Sequence, residues 1–297
     1  MRYPEFESVR CTHWSAPIWL AIVFAVLLVL PRSITAETPD RIVSIGGSIT
    51  EIIYALGEED RLVARDTTSI YPDAALSLPD VGYIRTLAAE GVLSVQPSMI
   101  ITEDGAGPPE TISVLQEAAI PMVTIPDGYT KMDILAKILA VGRTLNVPEK
   151  ARVLALKVET DLNNINFIVS TQTGVPKRVL FILSTQGGRI TASGTNTAAN
   201  GIINMAGGQN AITSFEGYKQ VTAEAIAAAA PDVILMMDRK GDHSSTSDEL
   251  FALPSLITTP AAENAAVVRM NGLLLLGFGP RTPLAVEQLS IAINGAG

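Results

Sequence analysis

Residues 88–101 read AAEGVLSVQPSMII, and residues 222–235 read TAEAIAAAAPDVIL. Each runs from an Ala-Glu pair through an apolar stretch to a Pro seven residues after the Glu, then into a short hydrophobic run. Glu90 matches Glu224, Pro97 matches Pro231 and Ile100 matches Ile234, always 134 positions apart. A second pair of segments repeats at nearly the same offset. RIVSIGGSITEIIYALG (41–57) is an apolar strand, a Gly46-Gly47 break and a helix, for which Ser48 or Thr50 is a candidate cap and Gly57 a stop. Residues 177–212 share the same scheme, with a strand, a Gly-rich break and a helix from about Thr197 to Gly207-Gly208. Arg41 and Arg178, which open the two strands, lie 137 apart. Two independent matches predict two similar α/β lobes with mainly parallel sheets, and ligands of such sheets sit beyond the carboxyl ends of the strands. The ligand cleft is therefore expected between the lobes.

Between the repeats, the apolar positions Ala151, Leu154, Val158, Leu162, Ile165 and Val169 step by three or four, and Pro148 suits a first helical turn. One such helix reaches roughly 35 Å, enough to join two lobes. An ordinary surface helix of a one-domain protein is the alternative. The expected organisation is a leader over 1–36, an N-terminal lobe over 37–147, a connecting helix over 148–173 and a C-terminal lobe over 174–297.

The leader is read from Arg2 and Arg10, the apolar APIWLAIVFAVLLVL (16–30) and the small Ala36. An uncleaved anchor is the rival, for which the run is short against the ~20 residues a spanning helix needs. Cleavage after Ala36 would leave a soluble exported protein. Cys11, the single cysteine, precedes the apolar run, so it is not the lipid-bearing cysteine of a lipoprotein leader. Residues 1–36 hold three basic and two acidic residues, so the chain from residue 37 onward is more acidic still than the whole chain's net −9, and nucleic acid is a poor partner. No G-x-x-x-x-G-K-[ST] is present, and GGSIT lacks the closing glycine of a nucleophile elbow. Beyond the leader, His243 is the only histidine, so triad catalysis or a His-rich metal site would rest on it alone.

PDVGYIRTLAAEG (79–91) sets Tyr83 and Arg85 on a loop before the first repeated helix, with Thr86 as its candidate cap. A phenol there can project into the cleft, and the cation two residues on can stabilise a phenolate or meet a carboxylate. Packing of the ring with its hydroxyl on the backbone is the alternative. Further candidates for the ligand are Tyr71, Tyr218, Gln186 with Gly187 and Gly188, Met236 and Met237, His243 and Arg281. Each also has a plain reading as a turn, core or solvated loop residue.

SIGGSITEIIYALG, PDVGYIRTLAAEGVLSVQPSMII, AAAAPDVILM and LGFGPRTP together resemble the haem-binding branch of periplasmic substrate-binding proteins, relatives of the vitamin B12 and ferric-siderophore binders. The resemblance spans about 40–295. It implies a haem carrier rather than an enzyme, located in the periplasm and serving an ABC importer permease dimer, with an outer-membrane haem receptor system upstream. It implies haem as the transported ligand, Tyr83 as axial ligand to its iron, and Arg85 as support for that phenol or for a propionate. It also implies that Glu90 and Glu224, one from each lobe, dock on arginines of the permease; a plain helix-dipole role is the alternative. A ferric-siderophore or cobalamin binder is the rival within the class, and an exported α/β hydrolase or chelatase the rival outside it.

Overall fold

The structure, a computed structural model, describes residue 1, residues 40–238 and residues 246–295. The first lobe runs β1 (Ile42–Ile45), α1 (Gly47–Ala55), β2 (Leu62–Arg65), α2 (Ala89–Ser94), β3 (Met99–Glu103), α3 (Pro109–Glu117), β4 (Met122–Ile125) and α4 (Lys131–Thr144). Its sheet has the order β2-β1-β3-β4, with every pair parallel. All four residues of β1 are buried, as expected for a strand covered by helices on both faces. Then α5 (Pro148–Ser170) runs 23 residues without a break.

The second lobe comprises β5 (Arg178–Ser184), β6 (Ile190–Ser193), α6 (Ala198–Met205), β7 (Gln209–Asn210), β8 (Tyr218–Val221), α7 (Ala223–Ala229) and β9 (Val233–Asp238). It continues through α8 (Ser247–Phe251), α9 (Pro260–Glu263), β10 (Val267–Asn271), α10 (Gly272–Leu276) and α11 (Thr282–Gly295). Its sheet order is β10-β9-β5-β6-β8, with β7 also beside β5. This sheet is mixed: β10, β9, β5 and β7 pair in parallel, whereas β6 is antiparallel to both β5 and β8. The extra strand β6 falls where the sequence predicts only a glycine break. Gly187 and Gly188 take φ of 64° and 73°, turning the chain back within one short 3-10 turn, and so short a connection can only join antiparallel strands.

The repeated segment is duplicated to the level of single bonds. Gln96 and Ala230, each just before its proline, both adopt positive φ, 49° and 41°. The Arg41 backbone N–H donates to Ser98 Oγ at 2.8 Å, and the Arg178 N–H donates to Asp232 Oδ2 at 2.8 Å. Both pairs keep the 134-residue spacing at the acceptor. Above the first elbow the Arg41 guanidinium donates to the carbonyls of Val95 and Gln96; above the second, Arg178 grips Asp232.

Helix starts differ from expectation in two places. Gly46, not Ser48 or Thr50, precedes α1 with φ of 117°, and its N–H is satisfied by Asp66. Ala88 precedes α2 without a side-chain cap: the helix starts three residues beyond Thr86, whose N–H closes a turn on the Tyr83 carbonyl. The equivalent α7 is capped by Thr222, whose hydroxyl accepts from the Ala225 N–H.

The lobes are not separate cores. One apolar cluster runs from Ile42 and Ile101 of the first sheet, through Ala151, Val158 and Leu162 of α5, to Val179, Phe181 and Leu235 of the second. Burial of this kind, worth roughly 25 cal/mol per Å² removed from water, makes opening the lobes wide costly.

A Cβ on Gly46 would stand 2.8 Å from Glu103 Cβ, whereas one on Gly57, at φ of 68°, would meet nothing within 4 Å. Gly46→Ala is expected to cost about 1–3 kcal/mol or more and Gly57→Ala about 1 kcal/mol. Urea unfolding of the two variants checks the order; an equal or reversed cost contradicts the crowding at Gly46.

Candidate ligand cleft

The parallel strands of both lobes point their carboxyl ends at one gap, a cleft of about 450 Å³. The first lobe contributes the start of α1, Thr67, Thr68 and Ile70, Tyr83–Arg85, the end of β3 and Asp127 after β4. The second contributes Met237 and Asp238 at the end of β9, Asn271 at the end of β10, and Gly272 and Leu273 after it.

Asp66 organises the first-lobe edge. Fully buried, its carboxylate accepts from the Gly46 N–H, the Thr68 N–H and hydroxyl, and the Ser69 hydroxyl, at 2.6–2.9 Å. A carboxylate with that many donors fixes the β1–α1 turn and the 66–69 loop as one piece.

The Tyr83 loop is pinned on both sides. Before it, Asp80 accepts from Arg65 at 2.7 Å and from the Gly82 N–H at 2.8 Å. After it, Ile84 and Leu87 exchange backbone bonds with Gly107. Ile84 and Leu87 are buried in a small apolar cluster, which turns Tyr83 and Arg85 outward. Tyr83 is 44% exposed and lines the cleft with Arg85 and Met237.

At the floor lies Lys137 of α4, 1% exposed. Its ammonium donates to Glu103 at 2.6 Å, Asp127 at 2.7 Å and Ser48 at 3.2 Å, and stands 3.5 Å from the Gly277 carbonyl. Burial alone would lower its pKa, but the Glu103 and Asp127 charges outweigh it and hold the value above the ordinary one. Two carboxylates thus share one cation. Neither Lys137 nor Asp66 figures in the sequence reading, although a lysine between Ile134, Ile138 and Val141, on the buried face of an amphipathic helix, was a legible signal.

The other sequence candidates are scattered. The Tyr71 ring lies under the Arg281 guanidinium at 3.4 Å, and Arg281 also binds Glu51 through its backbone N–H and its side chain. Tyr218 opens β8, its ring edge-on to Phe181 and its phenol on Thr197 and the Ala199 backbone; burial raises its pKa. Gln186, Gly187 and Gly188 form the exposed β5–β6 turn, away from the cleft lining, while Met236 packs against the second lobe's inner cluster. Glu90 and Glu224 are exposed in the first turns of α2 and α7; Glu224's own backbone N–H and the Thr222 hydroxyl lower its pKa. His243 lies outside the described residues.

Two α/β lobes, one long helix and strand-end loops meeting in a shared cleft are matched by a sequence profile: that of the family described as periplasmic binding protein, over residues 42–272. The chain belongs to this family. Its members are substrate-binding proteins of the haem, vitamin B12 and siderophore class that work with a permease and an ATPase. This periplasmic binding protein is 38% identical to periplasmic heme-binding protein BhuT, solved with two hemes, at a TM-score of 0.83 over 86% of this chain and 98% of that one. It is 35% identical, again at 0.83 and with the same two coverages, to periplasmic heme-binding protein RhuT from Roseiflexus sp. RS-1 in apo form. Among curated sequences, the vitamin B12-binding protein of Yersinia pestis (strain Pestoides F) is 27% identical over 267 residues, 89% of this chain and 90% of that protein. Among the described residues no helix is long and apolar enough to cross a membrane.

Removing the Lys137 ammonium leaves two partly buried carboxylates facing one another. Lys137→Ala is expected to lose about 3–5 kcal/mol of unfolding free energy. Because the folded pKa is raised, this contribution is complete below the ordinary 10.5 and is lost as pH climbs through the folded value. Denaturant titrations should show a constant gap between wild type and variant from pH 7 to about 10 that narrows only above; a gap that closes near neutrality contradicts the assignment.

Proposed function

We propose that this protein binds haem between its lobes and delivers it to an ABC importer in the cytoplasmic membrane. The observation that carries this reading is Tyr83, exposed in the cleft and held there beside Arg85. Phenolate oxygen is a hard ligand for ferric iron, with precedent in haem proteins. The adjacent guanidinium favours the phenolate electrostatically and can pair with a propionate. Ile70, Met237, Leu273 and Leu276 supply apolar surface for the porphyrin face. Glu103, Asp104, Asp127 and Asp238 also line the cleft, so the propionates turn toward Arg85. The heme-binding names of the structures at 38% and 35% identity support this choice of ligand.

The scheme places a leader at 1–36, cut after Ala36 to release the protein into the periplasm, and lobes at 37–147 and 174–297 joined by 148–173. An outer-membrane haem receptor would supply the ligand. Glu90 and Glu224 dock one lobe each on the two halves of the permease, and the core shared across the lobes keeps ligand exchange to small rocking. The relationship to vitamin B12-binding proteins favours, as second reading, a cobalamin or ferric siderophore in the same cleft.

Hemin added to the purified protein should give a Soret band that Tyr83→Phe weakens or shifts while the variant's thermal stability is kept. Absence of any Soret change in wild type moves the assignment to cobalamin or a siderophore, read by the same titration with those ligands. For docking, Glu90→Lys with Glu224→Lys should leave the haem spectrum intact and abolish uptake into vesicles holding the importer. Undiminished uptake rules these acids out as the docking pair.

A further inference from the structure

A second cavity, of about 640 Å³, lies between the lobes on the side of the long helix. It is lined by the start of α4, the middle of α5, the length of α6 and Val286 of α11. Asp127 borders both this cavity and the cleft, and Tyr129, edge-on to Phe278 at 5.4 Å, lines it as well. Gly201 lets α6 approach here: a Cβ would stand 2.7 Å from Tyr129 Cβ and from its carbonyl oxygen.

The charged groups of the cavity are of both signs, and each is already hydrogen-bonded within the protein. Asp127 is bound by Lys137, Asp133 accepts from the Thr130 backbone and hydroxyl, and Lys131 donates to Asn163 at 2.9 Å. What remains is neutral. Asn166, Asn196 and Asn204 make no side-chain hydrogen bond among the described residues, and Asn163 and Asn200 each use only the carbonyl oxygen of the amide. A side-chain amide offers two donors and one two-lone-pair acceptor. Beside these amides, Leu162, Met205 and Val286 give an apolar base.

We infer that this cavity is a binding site for a neutral, hydroxyl-rich molecule of mono- or disaccharide size. Hydroxyls both donate and accept, which matches unpaired amides, and the C–H face of a sugar ring suits the apolar base. Lys131 and Asp133 carry opposite charges two residues apart, so the lining favours an ion of neither sign. The volume lies within the ~300–1,000 Å³ common for small-molecule sites. Because both lobes and α5 line the cavity, an occupant touches all three and stiffens them against rocking. The cavity's lining shares Asp127 alone with that of the cleft.

Maltose, trehalose and glucose serve as neutral probes, with malate and putrescine as charged controls. Saturation-transfer NMR on the purified protein should show transfer to at least one neutral probe and none to the controls. The thermal midpoint should rise with concentration of that probe. Asn166→Ala with Asn204→Ala, both at exposed positions, should weaken the neutral probe at least about tenfold, two lost hydrogen bonds' worth, with an unchanged midpoint in its absence. The Tyr83→Phe variant should bind the same probe with wild-type affinity. Failure of every neutral probe to bind, equal binding by the double variant, or preference for a charged control overturns the inference, whatever the outcome with haem.

Discussion

A single buried ammonium holds the floor of the cleft. Lys137 gathers the ends of β3 and β4, the start of α1 and the carbonyl of Gly277, which arrives from the far end of the chain. An ammonium without water must be met by opposite charge and by hydrogen-bond acceptors, and removing either carboxylate leaves the rest poorly matched. The strand tips that carry Glu103 and Asp127 are thereby locked against one another. Asp66 does the corresponding work at the upper edge with four donors, two from backbone and two from hydroxyls. Between these two knots the Tyr83 loop has little freedom, which is what a ligand-presenting side chain requires.

The returning C-terminal segment is the less obvious part of the architecture. The long helix α5 is a visible connection, yet residues 272–282 fasten the second lobe to the first a second time. A Cβ on Gly47 would fall 2.5 Å from a Leu273 methyl, Phe278 packs on Tyr129, and Arg281 joins Glu51 and the Tyr71 ring. Together with the apolar cluster that continues through α5, these contacts make the hinge a packed region and not a tether. Arg281 illustrates how a cation near a cleft can be engaged elsewhere, its charge met by Glu51 and its face by an aromatic ring.

Duplication is the feature most plainly written in the chain. The 134-residue offset carried over to the positive-φ residues Gln96 and Ala230 and to the acceptors Ser98 and Asp232, because each helix ends on a left-handed residue just before its proline. The lobes then diverge where local signals are weak. The sequence reading predicts no strand at β6, since four residues between a glycine turn and a loop carry too little periodicity to separate a strand from a connection. The helix caps show the same limit: hydroxyl residues near a helix start are legible, but which of them faces the free N–H groups depends on the turn before it, as Gly46 and Thr86 demonstrate.

By itself, the sequence determined the α/β class, the paired units and the long α5 helix, because periodicity, proline and glycine act over a few residues, while it left open whether Tyr83 packs inward or faces the cleft. Only the tertiary structure decided which charges are spent inside the protein and which are left facing the gap. Lys137 meets partners 34 and 10 residues away, and Arg281 meets one 230 residues away. Electrostatic pairing depends on distance in space and on the exclusion of water, neither of which is ordered along the chain.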